Sequence, residues 1–197
     1  MEDLLTELGV SKELQAFFNI TEPLFNYGND LEYFGSGIHF IPTTSNLWVA
    51  GNDMATELVI TSSAMEAIAY LSLNTYRYPV TETICFIAIG NLPHAAQLNW
   101  IRVNRQKRKI TLVFGNDLLG RLTDIAVACG LCNKAVRLCW SDGGVEVFAN
   151  GKQFKADPEL LTLNNFEKAA GVRTGIRTRK PIRHDTFLEQ LKHDTNP

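Results

Sequence analysis

Between residues 57 and 140 the chain alternates short apolar runs with longer runs of helical period. Leu58-Val-Ile60, Ile84-Cys-Phe-Ile-Ala-Ile89, Ile110-Thr-Leu-Val-Phe114 and Ala135-Val-Arg-Leu-Cys-Trp140 read as strands. The stretch from Ala64 to Leu73 puts Ala64, Ile68 and Leu71 on one helix face. Pro93 to Arg102 reads as a helix with proline in its first turn. Leu118, Leu122, Ile125, Ala126 and Cys129 mark one face of a third helix. Val145-Glu-Val-Phe148 is a fifth strand, after an Asp-Gly-Gly turn. Nearly all-apolar strands alternating with helices predict an α/β fold, a parallel sheet covered on both faces in three layers. Such sheets bind ligands at the carboxyl ends of their strands. The turns after Ile60, Ile89, Phe114 and Trp140 are therefore where a site is expected.

The flanks differ in pattern. Residues 1–20 predict two short amphipathic helices broken near Gly9, with Ser11 as an N-cap. Residues 24–50 are rich in glycine, asparagine, proline and aromatics, which predicts short strands and turns. Residues 165–184 are basic, turn-rich and flexible in character, and a last helix runs from about Thr186 to Lys192. The resulting organisation is an α+β extension over 1–54, an α/β domain over 55–150, and a basic tail with a terminal helix over 151–197.

Composition adds little, but charge distribution does. With 45% hydrophobic and 20% charged residues the chain can build a sizeable core. It has no apolar run of the ~18 residues that a membrane helix needs. The start, Met1-Glu-Asp-Leu-Leu, is acidic where a signal peptide is basic, so a cytoplasmic protein is expected. Residues 1–100 hold two basic side chains and eleven acids, whereas residues 101–197 hold seventeen basic side chains and ten acids. That asymmetry either presents a face to a polyanion or lets the two halves attract one another. The four cysteines, Cys85, Cys129, Cys132 and Cys139, read as reduced, buried small hydrophobes. Cys129-x-x-Cys132 alone supplies half of the four ligands a structural zinc takes.

Two segments carry a resemblance. Leu58-Val-Ile-Thr-Ser-Ser-Ala-Met-Glu-Ala-Ile-Ala-Tyr70 is a strand, a small-residue turn and a helix. Phe114-Gly-Asn-Asp-Leu-Leu-Gly-Arg121 is a strand end, an acidic turn and a Gly-Arg pair. With one strand and one helix between them, they resemble the two signature motifs of the Toprim domain. That domain is shared by bacterial primases, type IA and type II topoisomerases and related nucleases, and by proteins of plasmids and conjugative elements. The resemblance covers about residues 55–140, with a weaker echo at Arg183-His-Asp-Thr-Phe-Leu-Glu-Gln-Leu191. It implies a Toprim-like sheet of about four parallel strands, Mg²⁺ as cofactor and nucleic acid as partner.

The departures bear on chemistry. Ser62 stands where the family has its general acid/base glutamate, Gly115 replaces the first aspartate of Asp-x-Asp, and Glu66 replaces the first motif's aspartate. Asp117, Gly120 and Arg121 match the family's pattern. Mg²⁺ takes oxygen ligands in octahedral geometry, commonly one or two carboxylates with water and phosphate. Asp117 beside a serine hydroxyl is a weak substitute. Losing a positioned acid/base typically removes about 10²–10⁴-fold in rate, so little or no phosphoryl transfer is expected.

Each position also has a plainer role. Asp117 suits a helix N-cap as well as metal or phosphate contact. Gly115 suits a turn needing positive φ. Ser63-Ala-Met-Glu66 reads as a capping box, with Glu66 reaching back to Ser63. Ser62 reads as a turn residue, Gly120 as a close-packing position, and Arg121 as either helix surface or phosphate contact. The histidines show no ligand spacing. Arg102-Val-Asn-Arg-Gln-Lys-Arg-Lys109 ends a helix, where cations suit the helix dipole, and reads as solvated or structural. Arg173, Arg177, Arg179, Lys180 and Arg183 are suited to backbone phosphates.

The leading expectation is a degenerate, non-catalytic Toprim-like protein of mobile-element DNA replication or transfer. It would bind nucleic acid or a replication or transfer protein. One alternative is a Mg²⁺-dependent primase- or nuclease-like enzyme using Asp117 and Glu66. Another is a structural protein-interaction module. A dinucleotide-binding enzyme is disfavoured, because no Gly-x-Gly-x-x-Gly follows any strand.

Overall fold

The computed structural model describes residues 4–35 and 37–195; the acidic residues 1–3, and with them part of the signal-peptide argument, lie outside these. In chain order the elements are α1 (Leu4–Glu7), α2 (Lys12–Phe17), β1 (Leu24–Tyr27), β2 (Asp30–Gly35), β3 (Ile38–Phe40), β4 (Trp48–Gly51), β5 (Glu57–Thr61) and α3 (Ala64–Leu73). They continue with β6 (Ile84–Ala88), α4 (Ala95–Asn104), β7 (Lys109–Val113), α5 (Leu118–Leu131), β8 (Val136–Ser141), β9 (Gly144–Ala149), β10 (Lys152–Ala156), α6 (Leu163–Ala170), β11 (Arg177–Thr178) and α7 (Phe187–Thr195).

The central sheet has five strands in the order β11-β7-β5-β6-β4. β11, β7, β5 and β6 run parallel, and β4 pairs antiparallel with β6 at the edge. This is a mixed α/β architecture. The expected continuation into β8 and β9 is corrected: both leave the central sheet and form an antiparallel meander with β10. The cause is local. Asp142-Gly143 and Asn150-Gly151 all have positive φ, which suits two-residue hairpin turns, and such turns join only antiparallel neighbours. The fourth parallel strand is instead β11, from the basic C-terminal segment.

Alternation along β5, β6 and β7 divides the interior into two cores. Val59, Phe86 and Val113 face α3, α7 and the N-terminal elements, where Leu5, Phe18 and Tyr27 join them. Leu58, Ile60, Ile87 and Leu112 face α4, α5, α6 and the meander, with Val147 and Phe166. Helix α3 is buried on every side from Ala64 to Leu71, since it lies between the sheet, α7 and the N-terminal elements.

The segment expected to be a flexible basic tail is held in place. Val172 and Ile176 pack on the second core, and the Arg179 N–H donates to the Leu112 carbonyl (2.8 Å). Phe187, Leu188 and Leu191 bury α7 in the first core beside α3. Within the cluster at residues 102–109, Arg105 and Arg108 both donate to the Asp53 carbonyl and Lys109 pairs with Glu57 at 3.6 Å, whereas Arg102 and Lys107 are exposed. Cys85 and Cys129 are buried thiols, but Cys132 and Cys139 are only partly covered. No helix among the described residues is long and apolar enough to cross a membrane.

Candidate functional site

Helix α3 packs on one face of the sheet and α5 on the other, so the turns after β5 and β7 diverge at adjacent strand ends. The segment before α7 joins them, because the Asn116 N–H donates to the Asp185 carbonyl (2.7 Å). The two motif turns and the Arg183–Leu191 echo therefore meet at one end of the sheet. Asn116, Arg183, His184, Asp185 and Glu189 line an open depression of about 460 Å³ there.

Geometry assigns each motif residue a local task. Asp117 is the N-cap of α5, its Oδ1 accepting the Gly120 N–H at 2.8 Å. Gly120 must lack a side chain, because a Cβ would collide with the Gly115 carbonyl oxygen. Gly115 departs from the expected positive φ and is crowded instead: a Cβ would lie 2.9 Å from Asp117 Oδ1 and 3.2 Å from the Asp185 carbonyl oxygen. An aspartate restored at residue 115 would meet the Asp117 carboxylate head-on. Ser62 is half-buried in the β5–α3 turn.

The capping box is corrected by half. Ser63 caps α3, its hydroxyl accepting the Glu66 N–H (3.0 Å), but Glu66 does not reach back. Its buried carboxylate accepts the N–H groups of Phe187 (3.0 Å) and Leu188 (3.1 Å), capping α7 from 121 residues away. Burial raises the Glu66 carboxyl above its ordinary range, against the opposing effect of these hydrogen bonds.

The N-terminus of α3 is served by a residue that sequence reasoning missed. Glu32, fully buried on β2, accepts the N–H groups of Ala64 (2.7 Å) and Met65 (3.0 Å). It also accepts the Tyr27 hydroxyl (2.7 Å) and contacts His39 Nε2 at 2.9 Å. An internal carboxylate thus occupies the helix terminus that would otherwise suit an anion.

Lys180, grouped by sequence with the phosphate-binding arginines, is engaged inside the fold. Its ammonium pairs with Asp124 Oδ2 (2.6 Å) and donates to the carbonyls of Gly115 (2.7 Å) and Phe114 (3.2 Å). Those contacts use all three of its donors. Burial raises the Asp124 carboxyl to about 6 and lowers the Lys180 ammonium. Arg121 is half-buried, with one Nη donating to the Glu159 carbonyl at 3.4 Å. Arg183 lies 4.0 Å from Asp194. Arg173, Arg177 and Arg179 are exposed and form no ion pair among the described residues.

These residues do not fit a Mg²⁺ centre. Both Glu66 oxygens are taken by helix N–H groups, and Asp117 uses one oxygen as a cap. Among the described residues no three His, Cys, Asp or Glu side chains converge. No protein-family model matches the chain, and no curated protein and no solved structure matches it significantly.

Proposed function

We propose that this chain is a non-catalytic nucleic-acid-binding protein on a degenerate Toprim-like fold. It would serve the DNA replication or transfer of a bacterial mobile element, as the resemblance implies. One observation carries the reading. The motif acids Glu66 and Asp117 are occupied as helix caps, whereas Arg173, Arg177 and Arg179 stand exposed without a carboxylate partner among the described residues. With Glu66 and Asp117 engaged as helix caps, neither motif acid is placed as a general acid or base for phosphoryl transfer. Exposed guanidiniums suit phosphates, which they contact in bidentate fashion. The meeting of both motif turns with the segment before α7 supports the fold part of the proposal.

The test is fluorescence anisotropy of labelled single- and double-stranded oligonucleotides across a salt series. Wild type is expected to bind with a steep salt slope. The triple variant Arg173→Ala, Arg177→Ala, Arg179→Ala is expected to bind more weakly and to flatten that slope by about two to three, at roughly 0.7–0.9 per phosphate contact. An unchanged slope removes these arginines from the interface.

A second reading, a protein-interaction module, draws on a different surface. Leu24, Tyr33 and Phe40 lie opposite one another across β1, β2 and β3, and Leu31 and Ile38 share their face. All five are more than 40% exposed, which leaves on the order of 500 Å² of apolar surface, a large patch for a monomer. Two copies packed face to face would bury about 1,000 Å², the lower bound of a specific interface. On this reading light scattering shows a dimer at high micromolar concentration that Phe40→Lys returns to monomer. A monomeric wild type would exclude self-association through this face.

A further inference from the structure

On the face covered by α3 and α7, a cleft of about 370 Å³ opens between the C-terminal end of α3, the turn Thr75–Arg77, the segment after β11, and α7. Tyr76, Arg77, Arg179 and Asp194 line it, with Tyr70 among the residues behind them. Its volume lies within the range of small-molecule sites. Of its cationic side chains, Arg179 and Lys180 belong to the basic C-terminal cluster, and Arg77 is one of two basic residues in the acidic half of the chain.

The charges in this cleft do not balance. Arg77 donates through Nε to Asn74 Oδ1 (3.0 Å) and lies 4.8 Å from the Tyr76 ring centroid, and its terminal nitrogens have no hydrogen-bond partner among the described residues. Arg179 anchors by its backbone N–H to Leu112, and its side chain has no carboxylate partner among the described residues. Burial raises the Tyr70 hydroxyl, the Tyr78 hydrogen bond and then Arg179 and Arg77 oppose that rise, and Glu57 adds to it. Of the nearby carboxylates, Asp194 lines the cleft and lies 4.0 Å from Arg183, and Glu57 lies 3.6 Å from Lys109.

One further group suits a specific ligand. Tyr76 is 71% exposed and offers an aromatic surface at the rim. Two guanidiniums and an exposed ring match a phosphate attached to a planar base.

We propose that this cleft is a nucleotide subsite, with the phosphate held between Arg77 and Arg179 and the base against Tyr76. The inference deepens the nucleic-acid reading and rests on it for the case in which the phosphate belongs to a strand; a free nucleotide would satisfy the same chemistry.

The experiment is anisotropy with fluorescein-labelled oligothymidylate and calorimetry with thymidine monophosphate. It compares wild type, Arg77→Gln, Tyr76→Ala and Arg173→Ala. Arg77 and Tyr76 are exposed, so unchanged melting temperatures verify folding. Arg77→Gln is expected to weaken binding about tenfold or more, and Tyr76→Ala by roughly 5- to 150-fold. Arg173→Ala, outside the cleft, should cause the smallest loss. If oligothymidylate binds and both cleft variants match wild type, the subsite is overturned while the nucleic-acid reading stands. If only the mononucleotide binds and Arg77→Gln abolishes it, the subsite stands with a free nucleotide as ligand and the nucleic-acid reading fails. Binding of neither probe by wild type overturns both.

Discussion

Glu32→Ala is expected to destabilise the protein by about 4 kcal/mol. The Glu32 carboxylate is the acceptor for four groups: the Tyr27 hydroxyl, the N–H groups of Ala64 and Met65, and His39 Nε2. Removing it strands buried donors, each worth roughly 1–3 kcal/mol when unsatisfied. It also leaves a void beside Tyr27, which is itself fully buried. Because Glu32 joins β2 to the start of α3, the variant should lose the N-terminal elements as well as the helix cap. Glu32→Gln keeps one oxygen but turns an amide nitrogen toward a donor, so an intermediate loss is expected. Urea unfolding checks both. A loss under about 1 kcal/mol for the alanine variant would show that Glu32 does not clamp these elements.

Lys180→Met is the second large effect, and it depends on pH. The variant leaves Asp124 buried without its cation, and breaking such a pair typically costs about 3–5 kcal/mol. It also strands the carbonyls of Phe114 and Gly115, loosening the turn that carries Asp117. In wild type the Asp124 carboxyl is raised from 3.8 to about 6, so between those values the folded chain holds a proton that the unfolded chain has lost. Its contribution to stability is therefore full below about pH 4 and fades as the pH rises through 6. Without the lysine the carboxyl rises further. The destabilisation should then be smaller at pH 5, where Asp124 takes up a proton, and larger at pH 8. Equal losses at the two pH values would show that the pair is not electrostatically coupled.

The region from Leu58 to Cys129 was legible because local pattern and environment agree there. The strands are apolar on both faces because both faces are covered, and the helices between them run with the expected period. Ser11 and Asp117 cap their helices as their residue types suggest. The meander was misread although its signal was present: Asp142-Gly143 is a two-residue turn, and it should have outweighed the apolar runs on either side. Glu32 was hidden by a different ambiguity. A period of two shows that β2 has two faces without showing which is buried; here Leu31 and Tyr33 face outward while Glu32 and Phe34 face inward. The partnership of Glu66 with α7 spans 121 residues, and no local pattern encodes it. Lys180 looked like its arginine neighbours, but it lies just beyond β11, where its side chain reaches the β7–α5 turn.

The most direct measurement is a thermal-shift titration of wild type and Asp117→Asn with Mg²⁺ and Mn²⁺, with and without single-stranded DNA. A ligand that binds the folded state raises the melting temperature in a saturable way. With the strand-end carboxylates serving as caps, neither metal should produce such a rise, and DNA should produce one that weakens as salt is added. A saturable metal-dependent rise in wild type that Asp117→Asn abolishes would contradict the account and make this a live metal-dependent site.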